Sequence, residues 1–240
     1  TVSAGGLTVA AAGGTASTTG SGVITIAGGT ANDGTIAVGG STLSAGNVSG
    51  TGTISTTNGI INATGTIATL SVTTGATVNG GASLVISNAI AGNPDMTLTG
   101  VVTMAGAMGT LSSAGALTLN GDITTTGDAA FAGITGGGHS LSVGGNAAFG
   151  GIATNLATLS VTGTSAINTT GITATGTQLY TGNVTLGAGA TLTATTVTTQ
   201  GTVAGGGNSL TITGNAVFGN GIGDTVTGVL NLSVSGATSV

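Results

Sequence analysis

The sequence contains no lysine, arginine or cysteine, and its 240 residues include one histidine, one proline and five acidic residues. Charged residues make up 2% of the chain, against about a quarter in an ordinary globular domain. Without cationic side chains there is nothing to hold a phosphate backbone, which argues against nucleic-acid binding. Anionic membrane surfaces lose their usual attractor for the same reason.

Membrane spans and disulfides are also missing. No apolar run approaches the roughly 18 residues of a spanning helix, although the mean hydropathy is +0.57. A long repetitive core can do without disulfides, and a chain without lysine or arginine offers trypsin no cleavage site. The sequence begins at Thr1, with no initiator methionine and no signal-peptide pattern, so we expect a processed protein or a segment of a larger one. These features predict an extracellular or cell-surface location.

Glycine, by contrast, occupies 50 positions, and between the glycines run short alternations of apolar and polar residues. A period of two is typical of β-strands, and no apolar stripe of helical period is found among residues that are themselves poor helix formers. The sequence therefore predicts an all-β protein. The predicted strands are Leu7–Val9, Val23–Ile26, Thr35–Val38, Thr53–Ile54, Gly59–Ile61, Leu70–Val72, Leu84–Ile86, Met96–Leu98, Leu117–Leu119, Leu141–Val143, Leu159–Val161, Val184–Leu186, Leu192, Val197, Leu210–Ile212 and Leu232–Val234.

One stretch occurs twice, as GGGHSLSVGGNAAFGG from Gly136 and as GGGNSLTITGNAVFGN from Gly205, an offset of 69 residues. A shorter unit is nested in it, because Gly127–Phe131 recurs 18 residues later as Gly145–Phe149. The longer offset is close to four of the shorter units. A short unit nested in a longer one is typical of a solenoid with coils of variable length.

We therefore predict a single elongated parallel β-helix (β-solenoid) over residues 1–240, with irregular coils of roughly 14–24 residues and about a dozen coils in all. Inward positions would stack apolar residues in columns, with Phe131, Phe149 and Phe218 in one of them. Threonine and serine would face outward, and glycine and asparagine would form the corners. Residues 117–240 show the clearer repeat. In residues 1–116 the 14-residue steps from Leu70 to Leu84 to Leu98 indicate either shorter coils or a region folded as a sandwich.

No set of residues predicts a catalytic, cofactor or metal site. The sequence has no cysteine nucleophile and no lysine for a phosphate-binding loop. His139 is replaced by Asn208 in the second copy of the repeat, which favours a turn position over a catalytic base. We predict that the protein is not an enzyme and needs no cofactor.

The five acidic residues are Asp33, Asp95, Asp122, Asp128 and Asp224. Paired-carboxylate hydrolysis would need two of them to converge. Asp128 aligns with Asn146 and Asn215, which indicates a turn. An open alternative is that Asp122 and Asp128 meet on adjacent coils and bind Ca²⁺, although the Asp-rich nonapeptide of Ca²⁺-binding solenoids is absent.

Two surface features leave further alternatives open. Glycosylation sequons occur at Asn47, Asn62, Asn168, Asn183 and Asn231. Thr-x-Thr pairs occur at Thr97/Thr99, Thr191/Thr193, Thr193/Thr195, Thr196/Thr198 and Thr211/Thr213. A flat ladder of such pairs would suggest ice binding, but they do not recur at a constant interval.

The run from Thr175 to Val240, including TGTQLYTGNVTLGAGATLTATTVT, GGGNSLTITGNAVFGN and LNLSVSGATSV, resembles the β-strand repeats of large bacterial surface exoproteins of the filamentous-haemagglutinin-like family. A similar and shorter copy spans about Leu117 to Thr177, and residues 1–116 match only in texture. The resemblance implies a right-handed β-helix, exported by a two-partner or autotransporter route, with adhesive, matrix or filament-forming roles.

Three functions are compatible with these observations. The leading hypothesis is an extracellular structural protein that self-associates into a filament, sheath or layer, since open solenoid ends and Thr-rich faces pair with further copies unless capped. The second is the stalk of an adhesin, with cell-surface glycans or other surface proteins as partners. The third is a polysaccharide-processing β-helix, which would require a cleft lined by convergent aspartates.

Overall fold

The computed structural model describes residues 2–4, 7–9, 14–17, 22–88, 90 and 94–240. These residues form two compact units, Thr1–Gly121 (unit 1) and Asp122–Val240 (unit 2). The described residues contain strands and turns and no helix. Each unit is a stack of parallel coils, and the coils of the two units number about 12. The prediction of an all-β parallel solenoid is confirmed.

Each of the predicted strands lies in a strand of the structure. The strands are β1 Val2–Ala4, β2 Leu7–Val9, β3 Thr15–Ser17, β4 Val23–Ile26, β5 Thr30–Asn32, β6 Thr35–Gly39, β7 Thr42–Ser49, β8 Thr53–Thr56, β9 Gly59–Ile67, β10 Thr69–Val72, β11 Gly75–Asn79, β12 Leu84–Ile86, β13 Asp95–Thr99, β14 Val102–Met108, β15 Leu111–Ser113, β16 Leu117–Thr125, β17 Ala129–Phe131, β18 Ile134–Thr135, β19 Leu141–Val143, β20 Ala147–Phe149, β21 Ala153–Leu156, β22 Leu159–Val161, β23 Ser165–Ile167, β24 Gly171–Ala174, β25 Thr177–Tyr180, β26 Val184–Leu186, β27 Ala190–Thr199, β28 Val203–Ala204, β29 Leu210–Phe218, β30 Val226–Thr227, β31 Leu232–Val234 and β32 Thr238–Ser239.

The coils of unit 1 pass through three faces. The first face contains β1, β4, the start of β7 and of β9, β11, β13 and β15, and the second contains β2, β5, the end of β7 and of β9, β12 and β14. The third face is a separate four-stranded sheet of β3, β6, β8 and β10. An interior column of the first face runs through Ile24, Leu43, Ile61, Val78, Leu98 and Ser113.

Unit 2 repeats this three-faced plan. An interior column of its first face runs through Ile123, Leu141, Leu159, Gln178, Val197, Ala216 and Thr238. A column of its second face runs through Ala129, Ala147, Ser165, Val184, Val203 and Val226. Its third face contains β18, β21, β24, the start of β27 and of β29, and β31.

Coil length varies within the predicted range. Leu141 lies opposite Leu159, 18 residues on, as the short repeat predicted, whereas Val203 lies opposite Val226 and Leu98 opposite Ser113. The 14-residue steps from Leu70 to Leu84 to Leu98 are not coils, because these residues belong to the third, second and first faces of unit 1. Of the two alternatives, the described residues form a solenoid rather than a sandwich.

The prediction that three phenylalanines share one column is correct for Phe131 and Phe149 and wrong for Phe218. Phe131 and Phe149 are opposite each other in β17 and β20, and their rings stack with centroids 5.7 Å apart and planes inclined by 27°. Phe218 instead lies opposite Thr199 on the first face of unit 2. It belongs to the column of Tyr180, which lies one coil before Thr199.

The 69-residue repeat therefore preserves local structure rather than position in the coil, which corrects its interpretation as four whole units. The copy at Gly136 leads into β19 on the first face, whereas the copy at Gly205 leads into β29 on the third face. Both turns have the same geometry, with φ of 60° and 81° at residues 137 and 138 and 57° and 83° at residues 206 and 207. Only glycine adopts two successive positive φ values without strain. Similar turn sequences thus form similar turns at different corners.

Candidate functional site

In unit 1 Asp33 lies in a turn and Asp95 is the first residue of β13, and both side chains hydrogen-bond the backbone of the following coil. Asp33 Oδ1 accepts from the Thr51 amide at 2.9 Å and from the Thr51 hydroxyl at 3.2 Å. Asp95 Oδ1 accepts in the same way from the amide and the hydroxyl of Thr110, both at 2.9 Å. A carboxylate that accepts a backbone N–H satisfies a donor that the turn leaves without a strand partner.

In unit 2, an aspartate and then an asparagine accept a backbone N–H of the following coil at the same corner of successive coils. Asp128 Oδ1 accepts from the Asn146 amide at 2.7 Å, and Asn146 Oδ1 accepts from the Thr164 amide at 2.9 Å. At the corner before the end of β29, Asn215 Oδ1 accepts from the Ala237 amide at 2.9 Å. The prediction of a turn position is confirmed for Asp128 and Asn146, which precede β17 and β20, whereas Asn215 lies within β29. Each of the three side chains holds the coil that follows it.

Asp224 caps a longer corner, where the coil between β28 and β30 is extended. Its Oδ2 accepts from the amides of Asn220 at 3.1 Å and Gly221 at 3.0 Å, within the same loop. Ile222, at the tip of this loop, is fully exposed. The carboxylate thus closes a local turn.

Asp122 and Asp128 do not meet on adjacent coils, so the Ca²⁺ site considered for them is not formed. Ile123–Thr125 separates them within one coil, and each lies opposite a different residue of the next coil. Asp122 Oδ1 accepts from the Ser140 amide at 2.8 Å, whereas Asp128 holds Asn146. Asp122 thus lies within β16 and Asp128 in the turn before β17, so the two carboxylates occupy different parts of the coil.

His139 belongs to the turn that begins at Gly136. Its amide donates to the Gly136 carbonyl at 2.9 Å, and its carbonyl accepts from the Ala157 amide at 2.8 Å. Its Nδ1 lies 4.0 Å from Asp122 Oδ1, with 39% and 72% of the two side chains exposed. A contact this exposed contributes little to stability. Asn208 makes the equivalent backbone contacts in the second copy, so the turn position is confirmed.

Within the described ranges, no three histidine, cysteine, aspartate or glutamate side chains come together in a way that could hold a metal ion. In that same part of the chain, no helix is long and apolar enough to cross a membrane. Of the sequon asparagines, Asn47, Asn168, Asn183 and Asn231 are exposed and Asn62 is half-buried. Their glycosylation stays a prediction.

One buried polar network was missed by the sequence analysis. Tyr180 and Gln178 both point into unit 2 and are fully buried. The Tyr180 hydroxyl donates to Gln178 Oε1 at 2.8 Å, and Gln178 Nε2 donates to the carbonyls of Ile172 at 2.9 Å and Thr193 at 3.0 Å. Burial raises the pKa of the Tyr180 phenol well above its usual range. The network joins strands of two faces inside the core.

The last coil of unit 2 leaves interior columns uncovered. Leu210 is 1% exposed, whereas Leu232, the next member of its column, is 46% exposed. The neighbouring Leu230 is 70% exposed. In the described part of the chain β30, β31 and β32 pair only with β28 and β29 of the preceding coil. Within the described residues, the side chains of Leu230 and Leu232 and the backbone of β30, β31 and β32 therefore have no coil paired on their far side.

No protein-family model, no curated protein and no solved structure matches this chain. The resemblance of residues 175–240 to filamentous-haemagglutinin-like exoproteins therefore stays a prediction from the sequence.

Proposed function

We propose that the chain is an extracellular structural protein, a self-assembling subunit or segment of a bacterial surface filament, sheath or matrix fibre. The observation that carries this proposal is the uncovered edge of unit 2, defined by β30, β31 and β32 (the open edge). A strand edge without a partner is a template for pairing with another chain, and native proteins normally cover or charge it. The open edge has no lysine or arginine to do so.

The occupant that best fits the open edge is a coil of a second copy. Such a coil would continue the parallel hydrogen-bond ladder and cover Leu232, which already stands in the column of Leu210. Fully burying a leucine side chain contributes about 1.5–3 kcal/mol, and the side chain is nearly half exposed at present. End-to-end stacking of two copies would then use the same kinds of contact that already hold the coils of one chain together.

The composition supports the same proposal. A charged residue repeated in every coil would stack on its own kind and repel it, and the sequence holds only five acidic residues and no lysine or arginine. The near absence of charge also leaves no basic surface for nucleic acid. A protein without trypsin sites suits an extracellular location. The runner-up is an adhesin stalk, in which further coils of a longer polypeptide would cover the open edge.

Sedimentation velocity over a wide concentration range tests the proposal. We expect wild-type protein to form species larger than a monomer as concentration rises, and Leu232→Lys to remain monomeric, because it places a charge at the end of an apolar column. Ile152→Lys is the matched control, since Ile152 is 53% exposed within the stack and away from the open edge. A wild-type monomer at every concentration would refute self-assembly, and rods with a terminal domain on the native polypeptide would favour the stalk.

A further inference from the structure

The third face of unit 1 carries a column of threonines on its outer side. The registers of this four-stranded sheet place Thr15, Thr35, Thr53 and Thr69 next to one another in successive coils. The alternating residue Ile54 points inward and is fully buried. Because neighbouring residues of a strand point to opposite sides, the threonines face outward in all four coils.

A second outward column lies two residues further along each strand. It contains Ser17, Ala37, Ser55 and Ser71, with the same pairing between coils. Strands in a sheet are about 4.8 Å apart, and two residues of a parallel strand span about 6.6 Å. Apart from Ala37, which has no hydroxyl group, the two columns (the hydroxyl array) therefore present hydroxyl groups on a two-dimensional lattice with these repeats.

The hydroxyl groups at the centre of the array are not used within the protein. The side chains of Thr35, Thr53 and Ser55 make no hydrogen bond to any group in the described residues. On the first face of unit 1, by contrast, one of the outer polar columns is bonded to itself, because Asn62 donates to Ser44 and Asn79 donates to Asn62. At the edge of the array the Thr69 hydroxyl accepts a hydrogen bond from Asn88, so the hydroxyl groups left for an external partner are those at its centre.

That partner must itself be periodic. One neutral hydrogen bond exchanged with water contributes only about 0.5–1.5 kcal/mol, so a small ligand that contacts one or two hydroxyls would be held weakly. Threonine is stiff about χ1, which fixes its methyl and hydroxyl groups in each coil. A surface whose atoms repeat at similar distances contacts all of them at once, without loss of side-chain freedom.

The chemistry of the chain narrows the kind of surface. A charged mineral face would require charged side chains in register, and the array has none. A crystalline polysaccharide is recognised largely by aromatic stacking, but Phe131, Phe149, Phe218 and Tyr180 are all buried. Solid water needs only ordered neutral donors, acceptors and methyl groups, and the rows of oxygen atoms in ice repeat at distances of the same order as the two repeats of the array.

We propose that the hydroxyl array binds the surface of ice. Each threonine hydroxyl would take the place of a water molecule at the ice surface, and each methyl group would lie between oxygen rows. The proposal rests on the third face of unit 1 and is independent of the open edge of unit 2.

The test grows ice slowly from a dilute solution of the whole chain and measures how the protein partitions between ice and liquid. Wild type is expected to enter the ice fraction. Thr53→Tyr, which places a bulky ring at the centre of the array, should lower the ice-to-liquid ratio by about tenfold or more, equivalent to about 1.4 kcal/mol. Thr97→Tyr is the control on the first face of unit 1, where Thr97 is exposed in a shorter column with Thr77 and Ser112, and it should partition like wild type.

A second variant covers the case in which Thr53→Tyr does not fold. Thr35→Val/Thr53→Val keeps β-branched side chains of similar shape and removes only two hydroxyl groups, and it should also lower partition into ice. Exclusion of the wild type from ice, or an equal loss in Thr97→Tyr, would overturn the proposal. Binding of the wild type to microcrystalline cellulose or chitin, together with exclusion from ice, would overturn it as well.

Discussion

The two units solve the same packing problem with different side chains. All four aromatic residues belong to unit 2, where Phe131 stacks on Phe149 and Tyr180 bonds to Gln178 inside the core. The core of unit 1 is aliphatic, with methionines such as Met104 fully buried, and its bonded polar column lies outside. The comparison teaches that a β-solenoid tolerates varied columns, provided that each inward side chain fits the residue one coil away.

The largest expected effect is on the aromatic stack. Phe149→Ala should destabilise unit 2 by about 3–5 kcal/mol, because it removes a fully buried ring and leaves a cavity. Met104→Ala is the matched change in unit 1, with an expected cost of about 2–5 kcal/mol. Hydrogen exchange read separately for peptides of each unit should locate each loss in its own unit. Equal loss of protection in both units after either change would show that the units unfold together.

Breaking the buried polar network should have the next largest effect. Gln178→Leu leaves the Tyr180 hydroxyl buried without an acceptor, at an expected cost of about 1–3 kcal/mol. The double variant Gln178→Leu/Tyr180→Phe removes both partners and should be more stable than Gln178→Leu alone. Denaturant unfolding of the four proteins in a double-mutant cycle gives the coupling. Additive effects would contradict the hydrogen bond.

The hydrogen-bonded column of Ser44, Asn62 and Asn79 on the outer side of unit 1 provides the control for this cycle. Asn62→Ala also removes a hydrogen-bonded amide, but water can replace the lost contacts at a half-buried site. We expect a loss well below that of Gln178→Leu, within about 1 kcal/mol. A larger loss for Asn62→Ala would refute the view that burial sets the difference.

Alkaline pH should weaken unit 2 selectively. The phenol of Tyr180 has a folded pKa above its unfolded value of about 10, because burial disfavours the charged form. Its contribution to stability is therefore complete below a pH of about 10 and falls by about 1.4 kcal/mol for each pH unit above it. Tyrosinate absorbance reports this one residue, since the chain has a single tyrosine and no tryptophan. Ionisation at an ordinary pKa in folded protein would contradict the burial.

The smallest expected effect is at the corners. Asp128→Ala removes the acceptor of the Asn146 amide and should cost about 0.5–1 kcal/mol, since water can partly replace it. Asp128→Asn keeps the acceptor and should be nearly neutral, as the asparagine at the equivalent position of the next coil indicates. Asp33→Ala and Asp33→Asn form the matched pair in unit 1. Thermal unfolding of the four variants checks whether both units use their corners alike.

The strands and the 18-residue register of unit 2 were predictable because Leu-x-Val alternation shows both the period of a strand and its inward residues. The inward Gln178 and Tyr180 were not, since alternation in TQLY favours Leu179 as the buried residue. The sequence also did not show that the two copies of the 69-residue repeat lie on different faces of unit 2. Similar turns can occupy any corner, and only the pairing of strands decides which one.

The hydroxyl array was not predicted from the sequence, for a related reason. Thr-x-Thr pairs are visible along the chain, as at Thr191/Thr193 and Thr211/Thr213, which do lie opposite each other. The ladder continues unevenly into the neighbouring coils, because Thr193 also lies opposite Thr173, whereas Thr191 lies opposite Gly171 and Thr211 opposite Ser233. The threonines of the third face of unit 1 come from coils of unequal length, so no constant interval connects them in the sequence.

Electron microscopy and fibre diffraction of the concentrated wild-type chain test most directly whether it assembles by continuing its own stack of coils. We predict filaments in which the strand spacing of about 4.8 Å runs along the filament axis, because a second copy on the open edge extends the ladder in that direction. Dispersed single particles at every concentration would contradict the account. Filaments with that spacing perpendicular to the axis would contradict it too, since the copies would then meet side by side.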